Sequence, residues 1–201
     1  MEEMKKVVNY SWVDQFDIDD LEERKLYIND VIDSEVINDI VYHILRYNKL
    51  DKGIPKDERK PIILYLNSPG GSISDGYGLI DAIIDSETPV YTVNQALCAS
   101  MGFLIFIAGQ KRFSMRHSEY LLHDGSTMDF NSTAKVRDRM EFETVQLEKM
   151  TKDYVCSRTN IDEDLYDRNY RKEWYFLPKE GKELGVVDYI VGEDCSIDEI
   201  V

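Results

Sequence analysis

At 201 residues, with 43% hydrophobic and 31% charged side chains, the chain has the size and composition of one soluble globular domain with a sizeable core. A formal net charge of −15 argues against nucleic acid or an anionic membrane as partner. Three cysteines without metal-binding spacing suit a reducing compartment, and only three histidines speak against a zinc site built on imidazoles.

The start, Met1-Glu2-Glu3-Met4-Lys5-Lys6, lacks the apolar core of a signal peptide. The longest apolar run, Phe103 to Ala108, is far too short to span a bilayer. A cytoplasmic protein is expected. Residues 1–23 are polar and acidic, with Trp12, Phe16 and Ile18 as scattered apolar points, and read as a poorly ordered or partner-dependent arm. Leu26-Tyr27-Ile28 is a short strand. Ser34 is placed to cap a helix whose Ile37, Ile40, Val41, Ile44 and Leu45 fall on one continuous face. Lys49 to Lys60, with Gly53 and Pro55 among dense charge, reads as an exposed loop.

Ile62 to Leu66 then reads as a buried strand, Asn67-Ser68-Pro69-Gly70-Gly71-Ser72 as a turn, and the following stretch as a helix to about Ser86. Tyr77, Ile80, Ile83 and Ile84 form that helix's apolar side. The unit repeats. Val90-Tyr91-Thr92-Val93 is a strand, and Met101 to Ala108 is apolar on all sides, as a helix buried in a core would be. Successive strand–turn–helix units of this kind build α/β layers.

Arg112 to Met115 and Tyr120 to His123 are two more strands, followed by a polar turn from Asp124 to Ser132. A long helix is expected from roughly Thr133 to Cys156, with Val136, Met140, Leu147, Met150 and Tyr154 as its main stripe. Phe142 and Val145 add apolar surface off that stripe. Two readings stand: a wide core-facing side, or a helix that also packs on another subunit. Val186 to Ile190 reads as a last strand, and the acidic tail 192–201 carries no evident structure. The division expected is an arm at 1–23, one domain at 24–191 and the tail.

The chemistry centres on Ser100, where the second strand turns into the buried helix. At a helix start the backbone N–H groups lack intrahelical partners and favour negative charge, good placement for a nucleophile whose attack generates an oxyanion. The plainer reading makes Ser100 an N-cap. The Gly70-Gly71 turn likewise has two readings, a phosphate cradle or one half of an oxyanion hole. In the second, the N–H groups of Gly71 and Met101 converge on one oxygen. A serine hydroxyl needs a base. His43 lies beside an apolar helix face and His117 in a polar turn, whereas His123 closes a strand, where an imidazole can be held rigidly. His123 is the best candidate.

Asn67-Ser68-Pro69-Gly70-Gly71-Ser72, Ala99-Ser100-Met101-Gly102 and a histidine closing a strand after Arg112-Phe113 resemble the ClpP family of serine peptidases. Glu180, Gly185 and Asp188 are similar to that family's C-terminal pattern. The resemblance covers roughly Leu26 to Ile190. It implies the α/β ClpP/crotonase-type fold of stacked ββα units with a long protruding handle helix, and assembly into rings that enclose the active sites. It also implies Ser100 as nucleophile, His123 as general base, and Gly71 and Met101 as oxyanion donors. No cofactor or metal is implied, and the substrates would be peptides or unfolded proteins.

The chain departs from the family in two places. Asp124-Gly125 follows the histidine where Gln-Pro is usual, and Asp124, as its strand neighbour, points to the opposite face. Aligned back from Gly185 and Asp188, the family's catalytic aspartate falls on Glu173; Asp164 and Asp167 are the fallbacks. Trp174 and Tyr175 are expected to shield the Glu173–His123 pair. Val13 to Glu23 is shorter than, and unlike, the segment with which housekeeping members contact an ATP-driven AAA+ unfoldase. Two rival functions share the fold: a crotonase-type enzyme of acyl-CoA thioesters, and a non-catalytic ring subunit.

Overall fold

The computed structural model describes residues 19–125 and 132–200. The expected arm lies outside the described residues up to position 18, as does most of the polar turn, at 126–131. Within the described residues one sheet holds seven strands: β1 (Lys25–Ile28), β2 (Ile62–Ser68), β3 (Val90–Ala99), β4 (Lys111–Ser114), β5 (Glu119–Leu122), β6 (Trp174–Phe176) and β7 (Tyr189–Ile190). The order β1-β2-β3-β4-β7 is parallel throughout, as strands joined by helical crossovers must be. The α/β class expected from the repeated units is the one observed.

Strand alternation divides the core. Ile62, Leu64 and Leu66 of β2 enter the larger apolar cluster, beneath α1 (Ser34–Leu50), α2 (Ile73–Ile84) and α3 (Met101–Phe106). Ile63 points to the other face and joins Val93, Phe113, Val191 and Ile200, the period of two expected of a strand. In α1 the buried positions are Ile37, Ile40, Ile44 and Tyr47, while Leu45 is exposed. Its cap is Asp33, not Ser34: the carboxylate accepts from the N–H groups of Glu35 and Val36 at 3.0 and 2.9 Å. Aspartate one residue earlier meets the same need.

β3 is longer than its β-branched run suggests and serves two partners in succession. Tyr91–Asn94 pairs with β4, and Leu97–Ala99 pairs with β5. The ladder with β2 passes from Leu66↔Asn94 to Ser68↔Cys98, so β3 bulges between them. β5 in turn pairs antiparallel with β6 through Tyr120↔Phe176, Leu121↔Tyr175 and Leu122↔Trp174. Three elements were not anticipated: β6, α6 (Glu163–Asn169) and α7 (Pro178–Glu183). The two helices did carry start signals. The Asp162 side chain accepts from the Leu165 N–H at 2.7 Å, and Pro178 opens α7.

The long helix runs from Thr133 to Arg158 as α4 (Thr133–Phe142), a π-helical turn (Glu143–Leu147) and α5 (Glu148–Arg158). Only Val155 is buried along it, and Met140, Phe142, Val145 and Met150 are 53%, 40%, 63% and 42% exposed. Within one chain, then, the apolar surface does not face a core. The C-terminal expectations need two corrections. Of Val186 to Ile190 only Tyr189–Ile190 is strand, because the N–H groups of Val186 and Val187 bond the Gly181 carbonyl instead, at 2.8 and 3.1 Å. The stretch after Gly192 is folded: Ser196 and Glu199 form a capping box, and Ile200 is buried in the second apolar cluster.

The start of the fold is tied down in a similar way. A helical turn at 19–22 offers the Leu21 carbonyl to the Tyr47 hydroxyl at 2.7 Å. Arg24 then forks onto both oxygens of Asp51 at 2.6 Å and onto the Lys60 carbonyl at 2.7 Å. The Asp51 side chain is only 3% exposed and also accepts from the Thr88 hydroxyl at 2.8 Å, so this part of the expected loop is core. The Arg24 guanidinium holds the Asp51 carboxyl below the usual carboxylate range. A lowered folded-state value contributes stability above the unfolded value, about pH 4, and loses it as pH falls through the folded one. Arg24→Leu should therefore cost about 3 kcal/mol near neutral pH, because it strands a buried charge. Urea denaturation should show that cost shrinking below about pH 4 as Asp51 protonates; a cost independent of pH would contradict the ion-pair account.

Candidate active site

Ser100 follows β3 directly and precedes α3, with φ 52° and ψ −119°, a left-handed conformation that costs a non-glycine residue about 1–3 kcal/mol. Its main chain is held on both sides. The N–H donates to the Leu121 carbonyl at 2.9 Å, and the carbonyl accepts from Phe103 and Leu104 at 3.1 and 3.2 Å. The hydroxyl makes no capping bond. Ser100 holds the N-cap position without capping through its side chain: backbone pairing fixes the helix start and leaves the hydroxyl no capping role.

The Gly70-Gly71 turn is shaped by a neighbouring segment. Ile32 forms a parallel bridge with Gly71, donating to the Gly70 carbonyl at 2.8 Å and accepting from the Ser72 N–H at 2.7 Å. In such a bridge the central residue's own N–H points the other way. A side chain on Gly71 would strike the Ile32 backbone at 2.2 Å, which is why glycine is required there. Among the described residues neither the Gly71 N–H nor the Met101 N–H meets an acceptor, and both residues line one cavity with Ser100 and His123. The two residues of the expected oxyanion hole thus border the same space as Ser100 and His123.

The antiparallel register of β5 and β6 places the next two residues opposite each other. Leu122 faces Trp174, and one step beyond, His123 Nδ1 lies 2.9 Å from Glu173 Oε1. Facing positions of an antiparallel pair are close enough for such a contact. The His123 side chain is 22% exposed and that of Glu173 60%. Trp174 turns inward toward Phe176 and Tyr175 is exposed, so the expected aromatic shield over the pair is not formed within one chain. No hydrogen bond joins Ser100 to His123 among the described residues; catalytic contacts in unliganded sites are often long and tighten with substrate.

The other candidates lie elsewhere. Asp124 is exposed and its N–H donates to the Tyr170 carbonyl at 2.7 Å. Asp167 pairs with Lys152 at 2.9 Å, and Asp164 is exposed on α6. His43 lies in α1 between Tyr42 and Tyr47. Sequence reasoning missed Tyr77, Thr151 and Tyr170 as cavity-lining residues. Tyr77 was legible only as one of the apolar positions of α2. Among the described residues no group of His, Cys, Asp and Glu side chains could hold a metal ion, and no helix is long and apolar enough to cross a membrane.

Comparison with known proteins bears on the family and the fold. The family model for Clp protease matches residues 10–194. The ATP-dependent Clp protease proteolytic subunit 1 of Prochlorococcus marinus (strain MIT 9312) is 30% identical over 173 residues, 85% of each chain. Subunit 2 from Treponema pallidum (strain Nichols) is 27% identical over 182 residues, 88% of this chain and 86% of that one. Among solved structures, a point mutant of ClpP1 from Listeria monocytogenes matches with a TM-score of 0.78. That match covers 92% of this chain and 99% of the other at 19% identity, a likeness of fold. The expected ClpP-type α/β fold is therefore the fold observed, and the protein belongs to the Clp protease family.

Proposed function

We propose that the protein is a serine endopeptidase that hydrolyses peptide bonds through an acyl-enzyme. The observation that carries this reading is the 2.9 Å His123–Glu173 contact on a cavity shared with the uncapped Ser100 hydroxyl. His123 Nε2 takes the Ser100 proton as Oγ attacks the peptide carbonyl. The carbonyl oxygen gains the negative charge, and the Gly71 and Met101 N–H groups donate to it. Glu173 accepts from Nδ1–H, fixing the tautomer and stabilising the imidazolium. The imidazolium then gives its proton to the departing amine, leaving Ser100 acylated. Water, deprotonated by His123, attacks the ester and restores the hydroxyl.

A mass-spectrometric map of a fluorophosphonate adduct should find it on Ser100. Ser100→Ala should lose about a thousandfold or more in turnover, and Glu173→Gln a comparable factor, since the amide cannot stabilise the imidazolium. Near-wild-type activity in Ser100→Ala would end the reading. Full activity in Glu173→Gln would remove the glutamate from the triad.

The exposed apolar side of the long helix supports assembly as part of the same reading. Large apolar side chains left exposed along one element are candidates for burial against another subunit, and rings closed around the active sites would confine hydrolysis to unfolded chains or peptides. An ATP-driven unfoldase is the corresponding partner. Sedimentation at micromolar concentration and near-neutral pH should give a particle many times the 23.4 kDa of the chain, and Val145→Asp should shift it to smaller species. A monomer under those conditions would refute assembly.

A further inference from the structure

The cavity beside Ser100 has a volume of about 360 Å³ and, away from the reacting wall, is lined by Ile73, Leu104, Tyr77, Thr151 and Tyr170. No acidic or basic side chain other than His123 reaches it among the described residues. Two hydroxyls in it form a directed chain. Tyr77 Oη lies 2.7 Å from Thr151 Oγ1, and Thr151 Oγ1 lies 2.9 Å from the Leu147 carbonyl oxygen. A threonine hydroxyl has one proton and a carbonyl can only accept. Both contacts are satisfied only if Thr151 donates to Leu147 and Tyr77 donates to Thr151. Burial pushes the Tyr77 phenol above its ordinary range, so it keeps its proton. With both protons committed, the two oxygens offer the cavity lone pairs alone.

We propose that the Tyr77–Thr151 pair selects substrates whose residue just before the scissile bond ends in a neutral hydrogen-bond donor. Glutamine is then favoured over methionine, and tyrosine over phenylalanine. The inference rests on the serine-peptidase reading, since it assigns this cavity to the side chain next to the acylated carbonyl. Methionine has the length of glutamine and phenylalanine the shape of tyrosine, but both leave the two acceptors unanswered as they displace water. Against the Tyr77–Thr151 pair a glutamate would set lone pairs against lone pairs. A lysine would bring a charge to a lining that holds no carboxylate among the described residues, at a desolvation cost neutral acceptors do not offset. If the pair only tied α2 to the long helix, it would be indifferent to the substrate.

The test is a set of blocked peptides, identical except for Gln, Met, Glu, Tyr or Phe before the cleaved bond, given to the full-length assembled protein. The quantities compared are ratios of kcat/KM. Gln over Met and Tyr over Phe should each be about fivefold to tenfold, the worth of one net hydrogen bond, with Glu below Met. The double variant Tyr77→Phe/Thr151→Val removes both hydroxyls at nearly constant volume, so neither member of the pair is left without the other. In it both ratios should fall to within about twofold of one, whereas Thr151→Ser should retain them. Ratios near one in the wild type, Glu favoured over Gln, or ratios unchanged in the double variant would each overturn the proposal. Flat ratios with Ser100-dependent cleavage overturn the selector alone. No cleavage of any peptide and no fluorophosphonate adduct on Ser100 overturn the peptidase reading and the selector together.

Discussion

The site depends on how closely two strand–turn–helix units approach. A side chain on Gly70 would fall 2.7 Å from Ser100 Cβ and 3.0 Å from the Ala99 carbonyl, and one on Gly102 would fall 3.1 Å from the Ser68 carbonyl. The units meet backbone to backbone because glycine stands on both sides of the contact. Ser68 holds the geometry from beneath, its hydroxyl donating to the Asp30 carbonyl at 2.7 Å and accepting from the Gly70 N–H at 3.1 Å. Wider spacing would part the Gly71 and Met101 N–H groups that the proposed oxyanion hole requires together.

A second constraint brings the imidazole and carboxylate to that wall. His123 and Glu173 are 50 positions apart, and what joins them is the register of a three-residue ladder. The ladder depends on apolar packing: Tyr120 stacks on Phe176 with centroids 5.2 Å apart, and Phe103 meets Phe176 edge-on at 6.0 Å. The helix that follows Ser100 therefore helps to seat the strand next to Glu173. A slip of one residue would turn Glu173 to the other face.

Much of this was legible in the sequence, for identifiable reasons. The two strand–turn–helix units announced themselves through β-branched runs followed by Gly-Gly or by Ser before an all-apolar stretch. Ser100, Gly71 and Met101 could be named from those junctions, and His123 from its place at the end of a strand. Glu173 could be placed only by likeness to a family, because a three-residue strand has too little periodicity to show its pairing. The folded tail was hidden for another reason: Ile200 is a single apolar residue in an acidic stretch, and its burial depends on distant Phe113 and Val93. Tyr77 and Thr151 lie 74 positions apart on two helices, so nothing local marked them as neighbours.

The backbone of Ser100 has a consequence for how this chain can change. Its φ of 52° is one that glycine adopts without strain. Replacement by glycine would relax the turn while deleting the Ser100 hydroxyl. Fold and chemistry thus pull in opposite directions at a single residue. Selection for robustness alone would favour glycine there, and under the proposed peptidase reading it is turnover that holds the serine in place.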